Sequence, residues 1–202
     1  MAKIERFGKH KRKIWQLLAE QLEGDFIQGN RSRPDRVEAF YGDWMVSLDS
    51  QNAGEAVFTR IRAPYVNRDD FIFRIIRETA SHRIAKKFGM SDIEVGYPAF
   101  DKDFVIQGSD ERKLKMMFAN PKIRELITYQ PRIMLQLRRE APLFQKPKFP
   151  KGVNELYFQT NNILTDLEQL HDLFELFAHT LDHLCAIGTA YEDDPHFRYH
   201  YK

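Results

Sequence analysis

LTDLEQLHDLFELFAHTLDHLCAI, residues 164–187, is the stretch on which the fold turns. Leu167, Leu170, Phe174, Phe177, Leu181 and Leu184 recur at alternating steps of three and four, which stacks them into one apolar seam on a helix of 3.6 residues per turn. The spacing predicts a single helix of about 24 residues. A seam of that length has to pack on something broad, and the chain ahead of it reads as the strands of a sheet.

Segments 37–48 and 56–63 are rich in β-branched and aromatic residues and flank the polar run 49–54, which reads as a hairpin loop. FIFRIIR at 71–77 is apolar on both faces apart from its arginines and reads as a central strand. A helix at 79–88 follows, stopped by Gly89. Strands are expected at 100–107, 132–138 and 153–160, with two short helices between the first two of these: one capped by Asp110, one started by Asn120 and Pro121. Residues 141–152 hold three prolines and read as an extended connection. The fold class is therefore α+β: a twisted antiparallel sheet with helices packed on one face and a long C-terminal helix.

The chain has 202 residues, 43% hydrophobic and 30% charged, enough to bury a core without disulfides or metal. Cys185 is the single cysteine, which excludes an intramolecular disulfide, a cysteine-rich zinc site and a CxxC redox pair. No run approaches the roughly 20 apolar residues of a spanning helix, so no transmembrane segment, no signal peptide and a cytoplasmic location are expected. The net charge of +2 is uneven, because residues 1–13 carry six bases against Glu5. The expected organisation is a basic amphipathic helix at 1–27, a linker at 28–35, one α+β domain at 36–190 and a loose tail at 191–202.

AFDKDFVI at 99–106, followed by Ser109-Asp110-Glu111, a helix with Leu114 and the segment 123–127, resembles a pattern of bacterial domains of unknown function. In them an F-[DE]-x-x-F-x-[VI] strand precedes an acidic turn, a helical pair and further strands. The resemblance covers about residues 58–184 in order of elements and implies an α+β bacterial domain without recognised catalytic residues. Some such domains lie near transmembrane helices; this chain departs from them in having no such run.

Candidate chemistry is sparse. His179 and His183 are one turn apart on the long helix and are the candidate metal pair, although two ligands make half a site. Their position opposite the apolar seam equally suits a solvated face. Arg60 and Arg62 share one face of a strand, and Asp101 with Asp103 share another, so these four are the polar pocket candidates. Lys9, Lys11, Arg12 and Lys13, set just before Trp15, are the interaction candidates for an anionic lipid surface or nucleic acid phosphates. The competing reading has Trp15, Leu18 and Leu22 docked on the body or on a second subunit. No P-loop, G-x-G-x-x-G or G-x-S-x-G is present, and no cofactor and no catalytic residue is expected. The leading expectation is a non-enzymatic domain that binds a protein partner or itself as a homodimer. The alternatives are a small-molecule binder or enzyme with a cleft between sheet and helices, and an anionic-surface binder acting through the N-terminal helix.

Overall fold

The structure, a computed structural model, describes residues 2–30, 32–54, 56–78, 92–139 and 149–199; for residues 2–7 and 53 it describes the backbone alone. Helix α1 (Ala2–Gln21) leads into strands β1 (Asp25–Ile27), β2 (Arg36–Tyr41), β3 (Trp44–Ala53), β4 (Ala56–Asn67) and β5 (Phe73–Arg77). Helix α2 (Pro98–Asp103) precedes β6 (Phe104–Gly108), and α3 (Glu111–Ala119) and α4 (Pro121–Tyr129) precede β7 (Met134–Arg138) and β8 (Val153–Thr160). Helix α5 (Leu167–Ala186) and the short β9 (Ala190–Tyr191) complete the order.

The strands form one antiparallel sheet in the order β1-β2-β3-β4-β8-β7-β5-β6, with β9 pairing β4. The register explains both faces. Phe26, Val37, Leu48, Ile61, Phe158, Leu135, Ile75 and Ile106 stand opposite one another across all eight strands of that path. This apolar row joins Trp15 and Leu18 of α1, Leu114 and Phe118 of α3, Leu126 of α4 and the α5 seam in a single core. Burying each large side chain of that row is worth about 1.5 to 3 kcal/mol, so the helical layer and the sheet hold each other in place.

Local chemistry sets the element ends. The Asp110 carboxylate accepts from the Lys113 N–H, Asn120 from Lys122 and Ile123, and Asp166 from Gln169, satisfying the otherwise unbonded donors of each first turn. Helix α1 closes through Glu23 at φ 50°. Gly24 is needed for a different reason: a Cβ there would lie 2.5 Å from the Glu38 carbonyl oxygen, where the chain turns against β2.

Several expectations change. The predicted strand 37–48 is a hairpin that reverses at Gly42, φ 55°, and the predicted loop 49–54 belongs largely to β3 because its one charge, Asp49, is met by Arg60 across the ladder. Residues 98–103 are helical rather than extended: Pro98 suits a first turn, and Asp101 accepts the N–H groups of Val95, Gly96 and Tyr97. Strand β5 lies next to the β6 edge, not centrally. The stretch 28–35 connects two paired strands of one sheet, β1 and β2, rather than linking a helix to a separate body, and α1 packs on the body. The tail to residue 199 is not loose, since Phe197 and Tyr199 are buried. The helix expected at 79–88 and most of the connection at 141–152 lie outside the described residues.

Candidate functional site

One residue along from the apolar row, on the opposite face, a second row crosses the same strands: Asp25, Glu38, Ser47, Arg62, Tyr157, Gln136, Arg74 and Gln107. Every member is polar. A strand alternates its faces, so a polar outer row is ordinary; here, however, Ser47, Arg62, Tyr157 and Gln107 are buried. Removing charged groups from water is costly unless they are paired, and two carboxylates do the pairing.

Asp49, fully buried, accepts two bonds from Arg60, at 2.7 Å from Nε and 3.0 Å from Nη2, and a further bond from Arg62 Nη2. Arg60 Nη1 also donates to Gln51 Oε1 at 2.6 Å. Glu155, equally buried, pairs with Arg138 and accepts the Tyr199 hydroxyl at 2.7 Å. The guanidinium groups are plates as well as donors: Arg62 lies 3.8 Å from the centre of the Tyr199 ring, and Arg138 lies 3.5 Å from that of Tyr157. Burial pushes the Tyr157 hydroxyl above its ordinary pKa, with Arg138, Arg60 and Arg62 opposing the rise.

The segment after β9 crosses this face. Pro195, Phe197 and Tyr199 are buried while His196 and Arg198 are exposed. Phe197 and Tyr199 meet edge to face at 5.4 Å and pack with Met45 and Phe149 in a small cluster separate from the main core. Phe40, 60% exposed, stands at the rim with the Arg198 guanidinium 5.5 Å from its ring centre.

The residues singled out from sequence fall in four places. Arg60 and Arg62 lie on this face. Asp101 and Asp103 do not join them: Asp101 closes the turn ahead of α2, and Asp103 sits 3.9 Å from Arg77. His183 Nε2 is 2.9 Å from the Met116 carbonyl oxygen on α3, and His179 is 3.6 Å from Glu175. The donor atoms that come within 4.8 Å of one another on α5 are those of His171, Asp172 and Glu175, and Lys122 already holds Glu175 at 3.1 Å.

At the N-terminal helix, Trp15 is fully buried and its Nε1 donates to the Leu164 carbonyl at 3.0 Å. Lys11 and Arg12 reach buried Asp35 at 2.8 and 3.1 Å, leaving Lys9 and Lys13 exposed. Burial alone would raise the Asp35 pKa, but Lys11, Arg12 and the Gly29 N–H outweigh it and hold the carboxyl below its ordinary value. Asp35 therefore stabilises the fold above the unfolded-state pKa of about 3.9, and that contribution disappears as pH falls through the lower folded value. Urea titrations at pH 5 and pH 3 should show wild type losing more stability than Asp35→Asn over this interval; equal losses would refute the lock.

The residues missed from sequence are Asp49, Glu155 and Tyr199. A signal existed in the period-two polarity of Glu155, Tyr157 and Gln159 against Leu156 and Phe158, which marks a strand polar on one face.

Fold and face together define an α+β domain built on one antiparallel sheet, with helices over its apolar side and a paired polar side beneath a terminal segment. Among the described residues no helix is long and apolar enough to cross a membrane. No protein-family model matches the chain, and no curated protein matches it. Among solved structures it is similar to the crystal structure of the mycobacterial trehalose monomycolate transport factor A, TtfA, with a TM-score of 0.55 and 7% sequence identity over 90% of this chain and 98% of that one. At that identity the likeness is one of fold.

Proposed function

We propose that this chain is a non-enzymatic protein-binding domain whose binding surface is the polar face of the sheet. One observation carries the reading: the face already holds a polypeptide segment, by stacking Arg62 on an aromatic ring and by accepting a phenol on a buried carboxylate. Aromatic and arginine side chains in such contacts are the usual anchors of protein interfaces. The carboxylates of the face are engaged by guanidinium groups, an arrangement suited to a fixed surface rather than to proton transfer with a substrate. The fold neighbour is named as a transport factor, a description compatible with a protein-binding role.

Two measurements test it. A photo-crosslinking residue at Phe40, on the rim, should capture a discrete polypeptide in the host cell, whereas one at exposed Tyr129 on α4 should not. Failure at Phe40, or equal capture at both, would refute the reading. Native mass spectra of the gently purified protein should show polypeptide masses only; a retained organic molecule would favour a small-molecule binder or an enzyme.

A further inference from the structure

We infer that the polar face contains a tyrosine-reading pocket, that residues 192–199 are its displaceable occupant, and that the protein partner inserts an aromatic residue followed two positions later by a tyrosine. The inference rests on the reading of this face as protein-binding.

The pocket is built from side chains of the sheet that hold one another. Asp49 orients Arg62, so the guanidinium is presented as a flat plate for a ring. Arg138 holds one oxygen of Glu155, and the other receives the Tyr199 hydroxyl at 2.7 Å. Plate and acceptor read the two ends of one side chain. A phenylalanine in place of Tyr199 would satisfy the plate and leave a buried carboxylate oxygen without its donor, which is the arrangement that discriminates most strongly between two rings of the same shape. Phe197, two residues earlier, fills the apolar half of the site beside Met45 and Phe149.

The manner in which the occupant is held marks it as exchangeable. The ladder between β9 and β4 ends at Tyr191. Beyond it, the described anchors of the segment on this face are the side chains of Phe197 and Tyr199. His196 sits at φ 48°, a left-handed conformation that disfavours an L-residue with a side chain. A tethered segment of this kind competes at an effective concentration on the order of millimolar, enough to keep the pocket filled until a partner with the same chemistry displaces it.

The test uses the full chain. The variant Phe197→Ala/Tyr199→Ala should release the segment and bind a fluorescein-labelled peptide EDDPHFRYHYK, the sequence of residues 192–202, at least tenfold more tightly than wild type does, because the wild-type pocket is occupied. In that variant, Tyr199→Phe in the peptide or Glu155→Gln in the protein should each weaken binding about tenfold or more, the worth of a hydrogen bond to a charged group. A variant that keeps the wild-type circular dichroism spectrum yet binds no peptide up to millimolar concentration would overturn the inference. So would a concentration-dependent wild-type dimer abolished by the same double substitution, which would assign the pocket to the tail of a second copy.

If the double variant does not fold, hydrogen exchange on full-length Tyr199→Phe decides. Amides of residues 192–199 exchanging at least tenfold faster than in wild type, with β4 and β8 unchanged, support an independent opening. Exchange that rises in the tail only together with β4 and β8 refutes it. The two readings fail separately: peptide binding without a crosslink at Phe40 keeps the pocket and removes the partner-binding role, and the reverse keeps the role and removes the pocket.

Discussion

Asp49→Ala should lower the free energy of unfolding by about 3 to 5 kcal/mol, the cost of breaking a buried ion pair by deleting one side of it. The carboxylate has no exposed surface, and Arg60 and Arg62, which both bond it, are 8% and 6% exposed. Neither arginine can recover water without the strands moving. Asp49→Asn keeps the shape and part of the hydrogen bonding and should cost less than alanine. Urea denaturation measures both, and an unchanged m-value would show that the native and unfolded states keep their compactness. A loss for alanine below about 1 kcal/mol, the size typical of an exposed pair, would mean that this face is wet and that its arginines are ordinary surface charges.

The second large effect is in the N-terminal helix, on the other side of the sheet. Trp15→Ala should cost about 3 to 5 kcal/mol, the range for deleting a large aromatic side chain from a packed core. The indole is fully buried between α1 and the body, donates to the Leu164 carbonyl at 3.0 Å and has Lys11 Nζ 4.6 Å from its ring centre. Trp15→Phe separates the contributions: it fills most of the space and leaves the Leu164 oxygen without its donor, for a cost of about 1 to 3 kcal/mol. Thermal or urea unfolding reads both. A loss for alanine below about 1 kcal/mol would mean that the N-terminal helix is an appendage held elsewhere.

The elements legible from sequence are those whose causes are local. The α5 seam repeats over five turns, and the caps at Asp110 and Asn120 act within three residues of themselves, so position along the chain carried the information. The ends of β3 and the nature of α2 were not legible in the same way. The run DSQNAG looks like a loop because nothing nearby answers Asp49; its partners are 11 and 13 residues on, in the next strand. AFDKD looks like a strand until Asp101 is seen to hold three backbone N–H groups in the turn before it. The candidate site was legible by half. Arg60 and Arg62 were visible as one face of a strand, while the group that completes the pocket with them, Glu155, takes its partners from Arg138 and Tyr199, 17 and 44 residues away. Asp101 and Asp103, whose spacing places them on one face of a strand, instead close a turn and meet an arginine at 3.9 Å, respectively.

The pairing of β4 with β8 has a consequence for how the molecule comes into being. These strands adjoin in the sheet, residue 66 opposite residue 153, although nearly half the chain separates them. Trp15 reaches still further, 149 residues on, to Leu164. Contacts of such sequence separation carry a large loop-closure cost and slow folding. During synthesis, the hairpins from β2 to β4 would leave the ribosome with one apolar face uncovered, and neither β8 nor α5 would yet exist to cover it. The first two-thirds of the polypeptide would thus wait, exposed, for its last third, and chaperone dependence during translation would be expected to track the emergence of α5.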